Sequence, residues 1–320
     1  MEGADAISVI ASAPGKVILF GEHAVVYGRS AIAVPVMQVR ATASIEPSPP
    51  GSGLTVVASD LKKRISLSSA AEDEPLTAAA RLTLEHLAVP IPDVTITIRS
   101  TIPIASGLGS GAAVSAALVR ALASFSGSPL SAEEVSALVF EVEKIHHGTP
   151  SGIDNTVIAH EQPVYFVRKQ SAKKVRLNVG APFTLLIADT GKSSPTRRVV
   201  GRVRQAWRRQ KARYEVLFDQ IGDVVDEARR AMEAGDIREL GSLMDENHEL
   251  LIELGVSSSK LDELVDAAHF AGALGAKLSG AGQGGNMIAL VEESFANEVM
   301  EELKEAGATR VICTRVQQQG

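Results

Sequence analysis

The hydrophobic positions along the chain follow a two-residue period in some stretches and a helical period in others, and each change of period marks a predicted element. Alternation and short apolar runs predict strands at residues 7–13, 31–45, 54–58, 64–67, 94–102, 163–167, 174–177, 183–188, 286–291 and 309–316. Helical spacing predicts helices at residues 75–87, 110–125, 131–147, 197–233, 237–254, 257–271 and 294–306. This mixture predicts an α+β fold, with an N-terminal domain of residues 1–180 and a C-terminal domain of residues 181–320.

The stretch Pro103-Ile-Ala-Ser-Gly-Leu-Gly-Ser-Gly-Ala-Ala-Val-Ser-Ala-Ala117 runs from the end of a predicted strand into a predicted helix. The turn between the two, which contains Gly107, Gly109 and Gly111, is the first glycine loop. Its glycines let the backbone take positive φ and let an anion approach closely. The first turn of the helix that follows presents unpaired N–H groups and a partial positive charge. These features predict a phosphate cradle, and a glycine-rich turn kept only for packing is the alternative interpretation.

Three charged or titratable residues, Lys16, Glu22 and His23, interrupt an apolar stretch that runs from Pro14 to Gly28. Buried charges are costly unless they are paired, so their presence in such a stretch needs a reason. One interpretation places them on the rim of an exposed turn. The functional interpretation is a lysine that faces a substrate, with a carboxylate and an imidazole nearby.

Two further carboxylates lie near the end of one predicted helix and in the turn that follows it. The helix begins at a capping box, Ser131-Ala-Glu-Glu134, and Glu143 falls at the edge of its apolar stripe. Asp154 belongs to the turn Gly148-Thr-Pro-Ser-Gly-Ile-Asp-Asn155. A short turn after the helix is able to bring both carboxylates into one cleft, and an ordinary aspartate-bearing turn is the alternative.

Composition limits the classes of protein to which the chain can belong. The net charge of −6 argues against a general nucleic-acid binder, and the single cysteine, Cys313, excludes an internal disulfide framework. No apolar run reaches the ~18–20 residues that span a bilayer, and the acidic N-terminus does not resemble a signal peptide. We therefore expect a cytoplasmic protein that binds neither nucleic acid nor membrane.

The predicted helix at 197–233, in which a bend is expected at Gly222, begins with a strongly basic stretch. Between residues 197 and 213 there are eight arginine and lysine residues and no acidic residue. Such a run is usually a solvated face. Two alternatives stay open: Arg197 and Arg198 help to hold an anionic ligand, or the stretch binds RNA.

Once the familiar sequence motifs are excluded, the candidate residues that are left indicate phosphoryl transfer. The sequence contains no GxxxxGK[ST], HExxH or GxSxG pattern. A GxGxxG pattern occurs in the second glycine loop, Ala276–Gly285, but a predicted strand follows it, so it is not a dinucleotide-binding fingerprint. A lysine, two glycine loops and two carboxylates are the parts that phosphoryl transfer to a small molecule requires.

Three stretches resemble the three motifs of the GHMP kinases, in the family's order: Pro14–Gly28, Pro103–Ala117 and Lys277–Leu290. Two more are similar to the mevalonate kinase branch of that family, Gly21-Glu-His-Ala-Val-Val-Tyr-Gly28 and Glu143–Asp154. The resemblance covers nearly the whole chain. It implies a two-domain GHMP kinase fold, with a ribosomal S5 domain 2-like N-terminal domain, a ferredoxin-like C-terminal domain and an active site in the cleft between them.

The resemblance also implies an ATP- and Mg²⁺-dependent kinase, a homodimer that phosphorylates mevalonate to 5-phosphomevalonate in the mevalonate route to isoprenoids. It makes Asp154 the base, and it makes Lys16 the lysine that contacts both Asp154 and the transferring phosphate. It makes Glu143 and Ser110 the metal ligands. It assigns the substrate to Glu22, His23, Thr196, Gly280 and Ala281. It assigns the nucleotide to Pro103, Ser106, Gly107, Leu108, Gly109, Ser110, Gly111 and Ala112.

Two positions depart from the family pattern. The family usually has two serines after Gly-Leu-Gly, and the second is Gly111 here, so the hydroxyl ligand of the metal is Ser110, Ser106 or a water. Gln283 interrupts the usual run of glycines in the second glycine loop. Two alternative functions stay open: another GHMP kinase, above all phosphomevalonate kinase, and a non-catalytic nucleotide-binding protein on the same fold.

Overall fold

The computed structural model describes residues 8–103, 106–147, 150–167, 173–192 and 195–318. The chain forms two compact units: the first takes residues from 1–15, 39–104 and 108–161, and the second takes residues from 16–38, 105–107 and 162–320. Strands β1 (Val9–Phe20) and β2 (Ser30–Pro47) each contribute to both units. The domain division expected at residue 180 stays a prediction, because compactness alone does not test it.

In the first unit, the second half of β2 is part of a sheet that contains both antiparallel and parallel strand pairs. It pairs antiparallel with β5 (Val94–Ser100), with Ala41 opposite Ser100 and Pro47 opposite Val94. Strand β5 pairs in parallel with β3 (Leu54–Ala58), which pairs antiparallel with β4 (Lys63–Ser66). The side chains of β5 alternate between buried and more exposed positions, as the sequence pattern predicts for a half-buried strand.

The helices of the first unit surround α2 (Ser110–Phe125), which follows the first glycine loop. Helices α1 (Pro75–Leu87), α3 (Ala132–His147) and α4 (Ile153–His160) each pack against it. Small side chains let helices approach closely, and α2 buries six alanines: Ala112, Ala113, Ala116, Ala117, Ala121 and Ala123. The helix that begins at the first glycine loop is therefore fixed on several sides.

The capping box predicted at the start of α3 is confirmed. The backbone N–H of Ser131 donates to Glu134 Oε2 at 2.8 Å, and the backbone N–H of Glu134 donates to Ser131 Oγ at 3.3 Å. These reciprocal bonds satisfy two donors at the helix N-terminus. The C-cap expected at Gly148 lies outside the described residues.

In the second unit, the first half of β2 pairs antiparallel with β6 (Val164–Val167), and β6 pairs with β7 (Lys173–Arg176). A separate four-stranded antiparallel sheet consists of β8 (Phe183–Asp189), β9 (Gly275–Ser279), β10 (Asn286–Val291) and β11 (Arg310–Val316). Its strand order is β11-β8-β10-β9. This is the strand order of a ferredoxin-like βαββαβ unit, as the resemblance implies.

Five helices of the second unit are described: α5 (Thr196–Arg209), α6 (Lys211–Ala234), α7 (Ile237–Glu253), α8 (Ser259–Phe270) and α9 (Ala296–Glu305). Helices α7, α8 and α9 pack against the four-stranded sheet. Among the described residues, no helix is long and apolar enough to cross a membrane.

Three elements differ from the sequence-based expectations. The predicted helix at 197–233 is two helices, because Gln210 leaves the helical conformation (φ −133°, ψ 53°), and Gly222 lies within α6 without ending it. Residues 276–279 of the second glycine loop belong to strand β9, which begins at Gly275. Asp154 lies in the first turn of the short helix α4 and not in an irregular turn. In the last two cases, tertiary packing overrides a weak local pattern.

An ion cluster at the C-terminal end of α4 connects four elements of the first unit. Arg120 on α2 donates to Ser12 O and Ala159 O, each at 2.7 Å, and to Glu161 Oε1 at 2.5 Å. Arg40 on β2 donates to both carboxylate oxygens of Glu161, at 3.0 and 3.1 Å. Paired guanidinium–carboxylate bonds fix geometry as well as charge, so the cluster holds β1, β2, α2 and α4 in one arrangement.

Replacement of Arg120 by Met should lower the free energy of unfolding by about 2–4 kcal/mol, because it leaves the carbonyls of Ser12 and Ala159 without this donor and removes one of the two guanidinium groups that pair with Glu161. Urea denaturation measures the loss. Arg230→Met is the matched control: Arg230 makes an exposed i,i+3 pair with Glu227, so its replacement should change stability by less than about 0.5 kcal/mol. Equal losses in the two variants would contradict a structural role for the cluster.

Candidate active site

A strained turn places Glu22 and His23 at the end of β1. His23 has φ 60° and ψ −51°, and the backbone N–H of Ala24 donates to Glu22 O at 2.6 Å. This is a γ-turn with positive φ at its centre, a rare and strained form. Strain of this kind persists only where the surrounding structure enforces it, and it is concentrated at functional sites.

Gly21 permits this turn because no side chain fits at its position. Its φ is 92°, and a Cβ atom there would lie 2.5 Å from Ser30 O and 2.6 Å from the Cα of Ala31. The backbone of β2 therefore lies directly against Gly21. The glycine of the Gly-Glu-His motif is therefore a steric requirement of the turn.

Glu22 is paired with a lysine in the interior of the second unit. The Lys277 ammonium on β9 donates to Glu22 Oε1 and, at 2.7 Å, to Leu278 O. Both side chains are 0% exposed. Burial raises the pKa of Glu22, whereas the adjacent Lys277 ammonium and, to a smaller extent, the backbone N–H groups of Glu22 and Gly280 oppose the rise. Burial lowers the pKa of Lys277, and Glu22 opposes that shift.

The tautomer of His23 follows from its hydrogen bond. Its Nε2 lies 3.0 Å from Ala281 O, and a carbonyl oxygen only accepts, so Nε2 carries the proton. Burial lowers the pKa of His23 to about 4, although the bond to Ala281 opposes the shift. The imidazole is therefore neutral at pH 7, and Nδ1 is an acceptor.

Two buried acceptors at this turn have no hydrogen-bond partner among the described residues. They are Glu22 Oε2 and His23 Nδ1. Buried polar atoms are almost always hydrogen-bonded, and leaving one unsatisfied costs about 1–3 kcal/mol. A ligand that carries hydrogen-bond donors, or a bound water, would complete both atoms.

The second glycine loop is held in place from two directions. The backbone N–H of Gln283 donates to Val256 O at 2.8 Å, and its side-chain amide donates to Ser257 O at 2.5 Å. On the other side, Thr190 donates through its backbone N–H and its hydroxyl to Gly285 O, each at 2.9 Å. Gly282 has φ 77° and lies so close to Val256 O that a Cβ would overlap with it. The loop therefore has a fixed path past Gly280 and Ala281.

The first glycine loop ends at a helix N-terminus, as predicted. Gly109 is the N-cap residue of α2 with φ 72°, and the helix begins at Ser110. No side chain caps this end, so the first N–H groups of α2 are available to an anion. Within the second unit, the Asn286 amide donates to Ser106 O at 2.6 Å, which fixes the start of the loop.

Glu143 and Asp154 lie on two helices of the first unit that pack against each other, α3 and α4. The Asn155 amide fixes the first turn of α4 on α3 by donating to Ser136 O at 3.0 Å and to Ser136 Oγ at 2.9 Å. Glu143 is 9% exposed. A Cβ atom at Gly111 would lie 3.5 Å from Glu143 Oε1, so Gly111 leaves open space beside that carboxylate.

The other predicted site residues differ in exposure. Lys16 is buried within β1. Thr196 is the first residue of α5 and is exposed, as are Arg197 and Arg198. The sharing of one cleft by Glu143, Asp154 and Lys16 stays a prediction.

Sequence reasoning gave no individual role to three residues that shape the site: Lys277 and Asn286, which lie within the third motif, and Thr190. The signal for Lys277 was present, because a lysine between Ala276 and Leu278 interrupts an apolar stretch in the same way as Lys16. Thr190 and Asn286 act through backbone contacts with the two glycine loops. No local sequence pattern marks such contacts.

The chain matches two protein-family models, the GHMP kinases N terminal domain at residues 74–161 and the GHMP kinases C terminal domain at residues 228–309. It therefore belongs to the GHMP kinase family, and it has the two-domain fold of that family, with mixed helices and sheets.

Its similar relatives are mevalonate kinases. The mevalonate kinase of Pyrococcus abyssi is 37% identical over 331 aligned residues, which cover 98% of this chain and 96% of the relative. The crystal structure of L. major mevalonate kinase in complex with R-mevalonate has a TM-score of 0.86 and 30% identity, with all of both chains covered. A Streptococcus pneumoniae phosphomevalonate kinase structure has a TM-score of 0.81, covers 96% of this chain and 99% of its own, and is 18% identical, which shows a shared fold alone.

Gly21→Ala should lower the free energy of unfolding by about 2–5 kcal/mol, because it adds both the cost of positive φ and a steric overlap with β2. Gly51→Ala is the matched control, because Gly51 also has positive φ (80°) but no atom lies within 4 Å of its added Cβ. That variant should lose only about 1–2 kcal/mol. Urea denaturation of both variants checks the difference, and equal losses would exclude the steric constraint at Gly21.

The stability of the protein should depend on the protonation of His23. Because its pKa in the folded chain, about 4, lies below the unfolded value of 6.5, the unfolded chain binds the extra proton between these values. Stability is therefore lost as the pH falls from about 6.5 to about 4. Between pH 7 and pH 5, His23 should account for about 2 kcal/mol of this loss. Urea denaturation at both pH values measures it, and the same pH dependence in His23→Asn would exclude His23 as its source.

Proposed function

We propose that this chain transfers the γ-phosphoryl group of ATP to the primary hydroxyl of mevalonate and releases 5-phosphomevalonate, a step of the mevalonate route to isoprenoids. The similarity to mevalonate kinases over nearly the full length of both chains supports this substrate, as does the fold shared with a mevalonate-bound structure. ATP is the donor that a kinase family uses.

The observation that carries the proposal is the pair of unpartnered acceptors, Glu22 Oε2 and His23 Nδ1. Mevalonate has two hydroxyl groups, and each is able to donate a hydrogen bond to a buried acceptor. A phosphate group at neutral pH has little to donate, and its negative charge is repelled by the Glu22 carboxylate. The turn therefore suits a substrate that bears hydroxyls better than one that already carries phosphate.

Asp154 is the proposed base that accepts the proton of the attacking hydroxyl. It lies in the first turn of α4. The anchoring of Asn155 on α3 restricts the motion of that turn. Lys16 is the proposed cation that stabilises charge on the transferring phosphate, which is the usual role of a lysine in phosphoryl transfer.

The nucleotide phosphates are proposed to bind at the first glycine loop. Its uncapped N–H groups at the start of α2 are donors aimed at an anion, and the helix dipole adds partial positive charge. The burial of α2 on its alanine face fixes the direction of those donors, so little reorganisation is needed when phosphate binds.

Glu143 and Ser110 fit a magnesium ion. Among the described residues there is no cluster of three or more side chains that would hold a metal alone, and Mg²⁺ is usually bound by one or two protein oxygens together with substrate phosphates. Gly111 places no side chain beside Glu143 Oε1, and the space that its missing Cβ leaves there suits a water bound to the ion. When bound, Mg²⁺ neutralises charge on the β- and γ-phosphates.

Phosphomevalonate kinase is the second candidate, and the exposed Arg197 and Arg198 at the start of α5 favour it, because a phosphorylated substrate needs cations. The cytoplasmic location and the homodimer that the sequence suggests stay predictions.

The test is ADP release from Mg²⁺-ATP with mevalonate, 5-phosphomevalonate, homoserine or galactose as acceptor. We expect turnover on mevalonate alone. Asp154→Asn should lower kcat about 10²–10⁴-fold while ATP still binds, because it removes the base. Asp223→Asn, an exposed aspartate on α6, is the matched control and should leave kcat unchanged.

Each other outcome contradicts a stated part of the proposal. Turnover on 5-phosphomevalonate would transfer the substrate assignment to the second candidate. Near-normal kcat in Asp154→Asn would exclude Asp154 as the base. A chain that binds ATP but releases no ADP with any acceptor would be a non-catalytic member of the family.

A further inference from the structure

Lys277 is a fully buried charge that none of the proposed catalytic steps uses. It lies on β9, all five residues of which are buried, and its neighbours on the strand are Ala276 and Leu278. An isolated ammonium in such a place would lose its proton or destabilise the fold. Its ammonium donates to Glu22 Oε1 and Leu278 O, and these two acceptors explain how the charge is kept there.

Glu22 depends on that charge in turn. Its side chain is fully buried, so without a cation nearby the carboxyl group would favour its protonated form. A protonated carboxyl group carries an O–H donor on one of its oxygens, so that oxygen is a poorer acceptor for a hydrogen bond. Lys277 occupies one oxygen, Oε1, and leaves Oε2 as the oxygen without a partner among the described residues.

We propose that Lys277 is a positioning residue for substrate binding: it keeps Glu22 ionised, fixes its carboxylate through Oε1, and reserves Oε2 to accept a hydrogen bond from a substrate hydroxyl. This inference rests on the proposed function, in which Glu22 contacts the substrate. It assigns a role to a lysine that lies outside the set of residues that bind phosphate, metal or nucleotide.

The surroundings of the pair identify Lys277 as the cation that acts on Glu22. His23, the next residue, is neutral at pH 7 because burial lowers its pKa to about 4. His248 on α7 is near Lys277; burial lowers its pKa, and Lys277 lowers it further. Three carboxylates oppose that shift of His248: Asp262, Asp245 and Asp266. The backbone N–H of Leu278 donates to His248 Nδ1 at 3.3 Å, so this imidazole also helps to fix β9.

The test is a double-mutant cycle of Lys277→Met and Glu22→Gln, with kcat and KM measured for mevalonate and for ATP between pH 5.5 and about 9.5, a range that brackets neutral pH. Lys277→Met should raise the KM for mevalonate roughly tenfold to hundredfold and leave the KM for ATP unchanged. In the Glu22→Gln background the same change should add almost nothing, because there is no carboxylate left to position. Lys304→Met, which removes an exposed lysine paired with Glu301 on α9, is the matched control and should change neither KM.

The pH profile separates positioning from a structural role. In Lys277→Met the pKa of Glu22 rises further, so kcat/KM for mevalonate should be low at neutral pH and increase toward alkaline pH. In Glu22→Gln and in the double variant this movement should be absent. A loss that is the same at every pH, or the same in both backgrounds, would overturn the proposal.

Two outcomes need a second measurement: a Lys277→Met variant that does not fold, and a wild-type chain that uses an acceptor other than mevalonate. If Lys277→Met does not fold because it leaves a buried carboxylate unpaired, the double variant should fold, since it removes both charges. Failure of the double variant as well would show that Lys277 is needed for folding through Leu278 and would overturn the proposal. If the wild-type chain uses another acceptor of the panel, the cycle is measured with that acceptor, so the substrate assignment and the role of Lys277 fail separately.

Discussion

The ion pair between Glu22 and Lys277 is the interaction on which the candidate substrate site of the second unit depends. Two opposite charges are buried among apolar side chains, and either one alone would be strongly destabilising. Their pairing joins the turn after β1 to strand β9, which are 255 residues apart in sequence. The bond from His23 to Ala281 makes a second connection between the same two regions. The strained turn at His23 and the fixed path of the second glycine loop are therefore maintained together.

In the first unit, a cluster of partly exposed charges also holds distant segments of the chain together. Arg120, Arg40 and Glu161 lie at the C-terminal end of α4, while Asp154 lies in the first turn of the same helix. Because α4 has only eight residues, fixing one end restricts the other. Arg120 also belongs to α2, whose N-terminus ends the first glycine loop. The cluster thus connects α4, the helix of the proposed base, to α2, the helix of the proposed phosphate cradle. It does so at the C-terminal end of α4, whereas Asp154 lies at the N-terminal end.

The local sequence pattern was enough to predict the helices and strands whose bounds are set by their own residues. Helix α1 and strand β10 have the bounds that periodicity gives, and the capping box at Ser131 begins α3 as expected. The break at Gln210 was missed because its neighbours favour a continuous helix. Strand β9 was missed because Lys277 hides its buried character, and that character becomes visible only when Glu22 is known to be its partner. The positive φ of His23 depends on the close approach of β2 to Gly21, which no window of sequence contains. Candidate residues were predicted by type, whereas the protonation states and contacts of those residues required the fold.

The two departures from the family pattern have different physical consequences. Gln283 takes positive φ (61°), where glycine would be less strained, but its side-chain amide and backbone N–H both donate to the segment between α7 and α8. A flexible position is thereby replaced by an anchored one, and the loop keeps its path. Gly111 does the reverse: it removes a side chain next to Glu143 Oε1 and leaves room there. Because Mg²⁺ retains waters readily, a water in that room is able to replace a serine hydroxyl as a ligand. The first departure adds an anchor to a loop, and the second leaves space in which a water is able to serve as a ligand of the proposed metal site.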